Sequence, residues 1–238
     1  MKNIVITGAG DGVGKAVAKL LKQENLILVD MVKNNVEKVA KELNQKAFVC
    51  DVSDANQVKK CKDFIVKNFD KIDCLINCAG LWTKGELSQL ENKQFATLNN
   101  LERVKKVIDT NLFGIIAMTS EIAPLMIKQN KGQIINVNSQ SGVEVEEFCP
   151  IYNASKHGSY SYRKAVQRDL AKHNVKITDV CPGLIKTNFY KNANDKLPEE
   201  IMNLGLNVED VAQTIVFVLN LPHEITIPSI EVRHIKNY

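Results

Sequence analysis

Short apolar runs alternate with helical patterns along nearly the whole chain of 238 residues. Strands that alternate with helices form βαβ units, whose crossovers are right-handed. The alternation therefore predicts an α/β fold with a seven-stranded parallel sheet and helices on both of its faces. Seven runs have the length and composition of buried parallel strands: Asn3–Thr7, Leu26–Asp30, Ala47–Asp51, Cys74–Asn77, Gln133–Val137, Lys176–Val180 and Ile225–Val232.

The segments between these runs carry apolar residues at helical spacing. Two stripes are short: Val13, Ala16, Val17, Leu20 and Leu21, then Val58, Cys61, Ile65 and Phe69. Longer helices are predicted over Leu101–Gln129, Tyr152–His173 and Val208–Leu219. Because no Pro/Gly/Ser-rich linker, low-complexity tract or repeat interrupts the pattern, we expect residues 1–238 to form one domain.

Composition excludes several classes of protein. The longest apolar stretch, Leu112–Met118, is far shorter than the roughly 20 residues of a membrane span. The net charge is only +4, the basic residues are scattered, and aromatic residues make up 6%, so no nucleic-acid surface is predicted. The six cysteines contain no CxxC pair, which favours buried free thiols over a metal site. Since a strand pattern begins at the third residue, we expect no signal peptide and a cytoplasmic location.

A glycine-rich turn, Thr7-Gly8-Ala9-Gly10-Asp11-Gly12-Val13-Gly14, joins the first predicted strand to the first predicted helix. Glycine permits positive φ and a close approach of the backbone to a ligand. The N-terminus of the following helix would direct free N–H groups at that ligand, which suits a pyrophosphate. A plain strand-to-helix turn is the alternative, but a strand before and an acid further on favour dinucleotide binding.

That acid is Asp30, at the end of the second predicted strand. A carboxylate there can accept hydrogen bonds from ribose hydroxyls and would repel a 2′-phosphate. Asp11 adds a second negative charge. Lys33 is the only basic residue near Asp30 in sequence. The sequence therefore favours NAD over NADP, with a solvated strand-end carboxylate as the alternative role of Asp30.

Tyr152 and Lys156 are four residues apart on a predicted helix and therefore project from the same face. A nearby ammonium group should lower the pKa of the phenol, which makes it a suitable general acid or base. Ser139 follows the predicted strand Gln133–Val137, at the sheet edge where ligands bind in open α/β folds. Taken alone, the Tyr–Lys spacing is more typical of an ordinary surface pair; together with Ser139 it indicates a catalytic group.

With these motifs in this order, the chain resembles the short, single-domain branch of the short-chain dehydrogenase/reductase family over nearly its whole length. The resemblance implies a doubly wound Rossmann-type fold. It implies a catalytic set of Asn111, Ser139, Tyr152 and Lys156, in which Asn111 completes a water-mediated proton relay with Lys156. Tyr152 and Lys156 would also touch the cofactor, together with Thr7, Gly8, Asp11, Gly12, Val13, Gly14, Asp30, Asp51, Val52, Asn77, Ala79, Gly80, Pro182, Gly183, Ile185 and Thr187.

The implied activity is hydride transfer between NAD(H) and a small alcohol or carbonyl compound, with Tyr152 exchanging the proton. A non-catalytic nucleotide-binding redox sensor or scaffold on the same fold is the alternative. No metal is expected. The resemblance also implies a homodimer or homotetramer, although the Gly-rich ending that many members use in oligomer contacts is missing here.

Three stretches are expected to hold the substrate: residues 81–100, 140–151 and 184–205. Their aromatic and apolar members could line a pocket or simply pack: Trp82, Phe95, Phe148, Phe189, Tyr190 and Met202. The acidic residues Glu144, Glu146 and Glu147 precede Tyr152. They could attract a cationic substrate or form a solvated loop.

Overall fold

The predicted parallel sheet of seven strands is confirmed. A computed structural model describes residues 1–83, 101–146, 149–190 and 197–236. The strand order is β3-β2-β1-β4-β5-β6-β7, and every pair is parallel. The strands are β1 (Asn3–Thr7), β2 (Asn25–Asp30), β3 (Lys46–Val49), β4 (Cys74–Asn77), β5 (Gly132–Val137), β6 (Val175–Pro182) and β7 (Ser229–Val232).

Helices cover both faces of this sheet. They are α1 (Gly12–Leu20), α2 (Lys33–Leu43), α3 (Ala55–Asn68), α4 (Leu101–Ile108), α5 (Gly114–Lys128), α6 (Pro150–Ala171), α7 (Glu199–Asn203) and α8 (Val208–Leu219). On one face α1, α2 and α8 bury residues such as Val17, Val39 and Ile215. On the other face α3, α5 and α6 bury Ile65, Ile122 and Leu170. The doubly wound architecture follows from these two cores.

The last predicted strand is wrong in its first half. β7 begins at Ser229, because Pro228 has no N–H for the ladder and Ile225 donates its own N–H to the Pro222 carbonyl in a turn, 3.0 Å away. Ile225 is consequently exposed.

The helix predicted over Leu101–Gln129 is interrupted. A π-helical turn at Asp109–Phe113 separates α4 from α5. Together these segments, Leu101–Lys128, are long and apolar enough to cross a membrane by length and composition alone, and half of the most apolar window is buried. Met118, Ile122 and Met126 pack into the core between α3, α5, α6 and the sheet. This segment therefore packs as a core helix.

Two helices are absent from the prediction. α7 is only five residues long. α2 buries Val36, Val39 and Ala40, with Leu43 packed beside them. That i, i+3, i+4, i+7 spacing is the signal that could have identified α2.

All six cysteines are free, as predicted, and all but the half-buried Cys78 are buried. Burial raises the pKa of Cys78, Cys149 and Cys181 to about 12, and the charge or hydrogen bonding of neighbouring groups adds smaller effects. These thiols are therefore protonated at neutral pH.

The chain reverses its direction of growth across the sheet between β1 and β4. In open α/β sheets, ligands bind at the carboxyl ends of the strands beside such a switch point. The turn after β1 is closely packed at this point. Gly14 in the first turn of α1 lies directly against Gly8, and a Cβ at Gly14 would stand 2.3 Å from the Gly8 carbonyl oxygen.

We expect Gly14→Ala to lower the free energy of unfolding by about 1–3 kcal/mol, because the clashing atom is backbone and cannot turn aside. Urea denaturation measures this. Lys19→Ala, an exposed change in the same helix, should stay within about 0.5 kcal/mol of the wild type. A Gly14→Ala protein as stable as that control would contradict the packing described.

Candidate active site

A cavity of about 700 Å³ opens at the carboxyl ends of the strands, within the size range of small-molecule sites. Most of the residues predicted to bind cofactor or substrate line it. They are Gly8, Asp11, Gly12, Val13, Gly14, Asp30, Asp51, Val52, Ala79, Gly80, Ser139, Tyr152, Lys156, Pro182, Gly183, Ile185 and Thr187. Residues from both halves of the chain thus converge on one space.

The glycine turn at one end of the cavity fits a dinucleotide pyrophosphate. Gly8 and Gly12 have φ angles of 65° and 53°, which side chains disfavour. A Cβ at Gly12 would meet no atom closer than 3.9 Å, so the space beside it is open. Because α1 begins at Gly12, its free N–H groups face this space.

Asp30 is fixed by the backbone on either side of its carboxylate. Oδ2 accepts the Gly10 N–H at 2.9 Å, and Oδ1 accepts the Val32 N–H at 2.9 Å. Gly10 was not among the predicted site residues, yet it holds the acid in place, and a Cβ there would lie 3.0 Å from Asp30 Oδ2. The carboxylate therefore has one orientation at the end of the cavity beside the glycine turn.

Two further carboxylates stand at this end. Asp11 and Asp51 line the cavity with Asp30. Asp51 Oδ1 accepts from the Ser53 N–H at 2.9 Å and from the Ser53 hydroxyl at 2.6 Å, which fixes it as well. Among the described lining residues the only basic one is Lys156, at the opposite end. This end of the cavity consequently carries negative charge.

Three predicted site residues lie beneath the cavity rather than on its surface. Thr7 Oγ1 accepts the N–H groups of Cys78 and Ala79 at 3.1 and 3.2 Å, which fixes the loop after β4 to β1. Asn77 donates its amide to Asn136 at 2.9 Å. Both side chains therefore support the site from below: Thr7 holds the loop after β4, and the Asn77 amide nitrogen is bound to β5.

Asn111, the third of these, lies in the π-helical turn and is fully buried. Its amide nitrogen donates to the Leu81 carbonyl at 2.8 Å and to Ser155 Oγ at 3.0 Å, and its Oδ1 accepts the Leu81 N–H at 2.7 Å. The side chain thus joins the loop after β4 to α6. π-turns of this kind are frequent at functional sites.

Ser139 and Tyr152 meet through their hydroxyl groups. A hydrogen bond from Ser139 acts to lower the pKa of the Tyr152 phenol. Burial and, next, the neighbouring Tyr190 outweigh it and raise that pKa well above its ordinary value. The prediction that the pKa of Tyr152 is lowered beside Lys156 is therefore wrong, because burial of the phenol beneath Trp82, Phe189 and Tyr190 has the larger effect.

Lys156 is 3% exposed, and its ammonium nitrogen donates to the Val137 carbonyl at 3.0 Å. It lies 5.6 Å from the centre of the Tyr152 ring. Burial lowers the pKa of Lys156 to about 8, and the charge of Asp179 opposes that shift. A lysine that loses its proton near neutral pH is typical of functional sites.

A buried polar cluster supports Lys156, and the sequence analysis missed it. Asp179 in β6 accepts from the Asn136 amide at 3.0 Å, from the Asn138 amide at 3.3 Å and from Arg163 Nε at 3.4 Å. Asn136 and Asn138 flank Val137, whose carbonyl holds Lys156. Burial raises the pKa of Asp179, and these three partners oppose the rise. An acid in an otherwise apolar strand was the available signal.

Two side-chain oxygens of residues that line the cavity, Asn138 Oδ1 and Gln140 Oε1, have no hydrogen-bond partner among the described residues. Both atoms are closed off from solvent, so they lie behind the surface of the cavity.

Aromatic rings cover the end of the cavity that holds Tyr152. The Trp82 ring lies 4.8 Å from that of Tyr152 and 5.0 Å from that of Tyr190, and Phe189 contacts both tyrosines. These rings come from two of the stretches predicted to hold substrate, and Leu197 and Ile201 join them. Met202 does not line the cavity, and Phe95, Phe148 and Glu147 lie outside the described residues.

The acidic loop divides into two roles. Glu144 pairs with Arg233, with oxygen–nitrogen distances of 2.8 and 3.1 Å, and lies away from the cavity. Glu146 lines the cavity. Ser141 also lines it, and the sequence analysis did not identify that residue. The described residues contain no cluster of three side chains suited to a metal ion.

A family model described as short chain dehydrogenase matches residues 2–198. The chain belongs to the short-chain dehydrogenase family. Its members place a nicotinamide cofactor on a Rossmann fold, and this protein is accordingly a nicotinamide-dependent oxidoreductase.

Relatives of this short-chain dehydrogenase cover almost all of it. An uncharacterized oxidoreductase of Staphylococcus aureus (strain N315) is 28% identical over 98% of this chain and 96% of its own length. The 3-oxoacyl-[acyl-carrier-protein] reductase FabG of Thermotoga maritima is 31% identical over 91% of this chain and 89% of its own.

Solved structures share the fold. The closed form of a serine dehydrogenase complexed with NADP+ is 25% identical, with a TM-score of 0.88 over 99% of this chain and 96% of that one. An alcohol dehydrogenase from the archaeon Thermococcus sibiricus, complexed with 5-hydroxy-NADP, is 22% identical. Its TM-score is 0.86, over 100% of this chain and 98% of that one.

The burial of Lys156 leads to a prediction about stability. Because burial lowers its pKa from 10.5 to about 8, the charged form is less favourable in the folded protein than in the unfolded chain. Below pH 8 the full cost applies, and it disappears as the pH rises towards 10.5. We expect Lys156→Met to raise the free energy of unfolding by about 2 kcal/mol at pH 7 and by less at pH 10.

Urea denaturation at both pH values measures this difference. Lys164→Met, an exposed change in the same helix, serves as the control and should stay within about 0.5 kcal/mol. A Lys156→Met protein less stable than the wild type at pH 7 would show that the lysine is a net stabilising contact instead.

Proposed function

We propose that this protein transfers a hydride between NAD(H) and a small alcohol or ketone. The observation that carries the proposal is the convergence of Ser139, Tyr152 and Lys156 in the cavity that also contains the glycine turn. A bound nicotinamide would supply hydride exchange at its C4 atom. The protein's own groups then have to orient an oxygen atom, exchange a proton and hold the cofactor.

Each polar side chain has a role that its surroundings support. Ser139 would hold the substrate oxygen, and Tyr152 would exchange the proton with it. Since burial favours the protonated phenol, Tyr152 is suited to donate a proton to a carbonyl oxygen, and oxidation requires a cation to stabilise the phenolate. Lys156, whose ammonium nitrogen lies 5.6 Å from the centre of the Tyr152 ring, would supply this charge and would also bind the nicotinamide ribose. Asn111, which joins the π-helical turn to α6, would support the proton relay.

NAD is the preferred cofactor in this proposal, and NADP is second. Asp11, Asp30 and Asp51 line the end of the cavity that would hold the adenosine, here called the adenosine end, and a 2′-phosphate would meet like charge there. The serine dehydrogenase and the archaeal alcohol dehydrogenase are complexed with NADP+ and 5-hydroxy-NADP, so the related fold itself accommodates the phosphate. The local charge, rather than the fold, supports NAD.

The remaining expectations belong to the same proposal. Residues 1–238 act as one domain, with a small-molecule substrate as the principal partner and no nucleic acid or membrane. The protein works in the cytoplasm, where six free thiols remain reduced, and assembles as a homodimer or homotetramer. A redox sensor or scaffold that binds the cofactor without turnover is the alternative function.

Replacement of Tyr152 tests catalysis. Tyr152→Phe removes the proton donor, so we expect kcat to fall at least about a hundredfold while NADH binding is retained. The assay is a panel of alcohols with NAD and ketones with NADH, followed by absorbance at the nicotinamide band. Tyr160→Phe, in the same helix but outside the described lining of the cavity, should keep its activity.

Substantial turnover by Tyr152→Phe would contradict the role given to this phenol. If the wild-type protein binds NADH tightly but turns over none of the panel, the sensor function gains support instead.

Titration of the two reduced cofactors tests the role of Asp30. We expect NADH to bind at least about tenfold more tightly than NADPH, because the fixed carboxylate repels the 2′-phosphate. Asp30→Asn, which removes the charge, should reduce the preference, whereas the exposed change Asp169→Asn should leave it unchanged. Fluorescence of the bound cofactor gives both dissociation constants, and equal affinities in the wild type would contradict the assignment.

A further inference from the structure

Among the described residues, Glu146 is the acidic one at the end of the cavity that holds Tyr152, here called the substrate end, and its backbone is held beside Tyr152. Asn153, the residue after Tyr152, donates its amide to the Glu146 carbonyl at 2.5 Å and accepts the Glu146 N–H at 3.4 Å. The backbone of Glu146 is thus anchored to the same helix turn that carries the phenol. Glu146 therefore has a defined place relative to the reacting centre.

The Glu146 carboxylate is also oriented by its own hydrogen bonds. Oε1 accepts the Ser141 hydroxyl at 2.9 Å, and Oε2 lies 3.6 Å from the Cys149 thiol. The Ser141 hydroxyl in turn lies 3.2 Å from that of Ser139. The carboxylate is consequently two hydrogen bonds away from the serine that would hold the substrate oxygen. A carboxylate oxygen can accept more than one donor, so these contacts leave capacity for a ligand.

The aromatic rings that line the same cavity favour positive charge as well. Trp82, Tyr152, Phe189 and Tyr190 line the cavity with Glu146. Aromatic faces attract ammonium groups, and the attraction is stronger where water is excluded. Indole and phenol rings therefore add to the effect of the carboxylate.

Among the described residues that line this end of the cavity, Lys156 is the only basic one that would repel a bound cation. Its ammonium group is engaged by the Val137 carbonyl, 3.0 Å away, on the floor of the cavity. The charge of Glu146 also extends to the reacting group, since it contributes, after burial and Tyr190, to the raised pKa of the Tyr152 phenol. A cationic substrate would be drawn to Glu146, and an anionic one would be repelled.

We propose that the substrate is an amino alcohol, or the corresponding amino ketone, whose ammonium group binds Glu146 while its oxygen binds Ser139. The separation of these two side chains by two hydrogen bonds suits a nitrogen on the carbon next to the carbinol. In oxidation the carbinol C–H bond gives its hydride to NAD+, and the hydroxyl proton passes to the Tyr152 phenolate and from there to solvent. Amino alcohol and NAD+ thus give amino ketone, NADH and a proton. This inference rests on the proposed function and adds the class of substrate.

Three alcohols that differ in one group test the inference at pH 7.5. 1-Aminopropan-2-ol is cationic, butan-2-ol replaces its ammonium group by methyl, and 3-hydroxybutyrate places a carboxylate there. We expect kcat/KM with NAD to be at least about tenfold higher for 1-aminopropan-2-ol than for butan-2-ol, and lowest for 3-hydroxybutyrate.

Two matched variants show whether Glu146 causes the preference. Glu146→Gln keeps an acceptor for Ser141 but removes the charge, so the ratio of kcat/KM between 1-aminopropan-2-ol and butan-2-ol should fall about tenfold. Glu144→Gln alters a carboxylate two residues away that pairs with Arg233 outside the cavity, and it should leave the ratio unchanged. The ratio within each variant is independent of effects on folding or cofactor binding.

A wild-type ratio of one or less would overturn the inference, as would an equal ratio in Glu146→Gln and wild type. If no alcohol is oxidised, the proposed function fails, and the inference is judged by calorimetric titration of the NADH complex with the same three compounds. Tighter binding of 1-aminopropan-2-ol that is lost in Glu146→Gln would then support it; equal or weaker binding than butan-2-ol would overturn it.

Discussion

The floor of the site depends on one buried carboxylate. Asp179 is inaccessible to solvent, and a lone buried charge would destabilise the fold. Arg163 supplies the opposite charge, and the amides of Asn136 and Asn138 complete the coordination. Asn77 extends the chain of hydrogen bonds to β4. Strands β4, β5 and β6 and helix α6 are thereby held in one arrangement at the edge where the cavity opens.

This arrangement determines how the reacting groups are presented. Asn136 and Asn138 flank Val137, whose carbonyl accepts a hydrogen bond from the Lys156 ammonium group. The cluster around Asp179 therefore fixes the position of the lysine. Burial acts in opposite directions on Lys156 and Tyr152, because it disfavours the ammonium of one and the phenolate of the other. Tyr152 is therefore held as a neutral phenol, whereas Lys156, with a pKa of about 8, is still mainly charged at pH 7 but gives up its proton more readily than an ordinary lysine.

The strand pattern and the main motifs were predictable because each depends on neighbours in sequence. Apolar runs identify buried strands, and the turn around Gly12 has a local backbone requirement. What could not be predicted arises between distant segments: the pairing of Arg163 with Asp179, the contact of Trp82 with Tyr152, and the use of Asn111 to hold a loop. A motif shows that a residue type is present, but whether its polar atoms face the cavity depends on which neighbours bind them first.

The charged residues proposed to set selectivity at the two ends of the cavity, Asp30 and Glu146, contribute to the fold to different degrees. At the adenosine end Asp30 supplies charge and also accepts the N–H groups of Gly10 and Val32, so a change of cofactor preference there must also preserve the glycine turn. At the substrate end Asn153 holds the backbone of Glu146, and the carboxylate accepts from the side chains of Ser141 and Cys149 rather than from backbone N–H groups. The Glu146 side chain is therefore freer to vary without loss of the fold, and substrate preference can diverge at this position while the reacting groups stay in place.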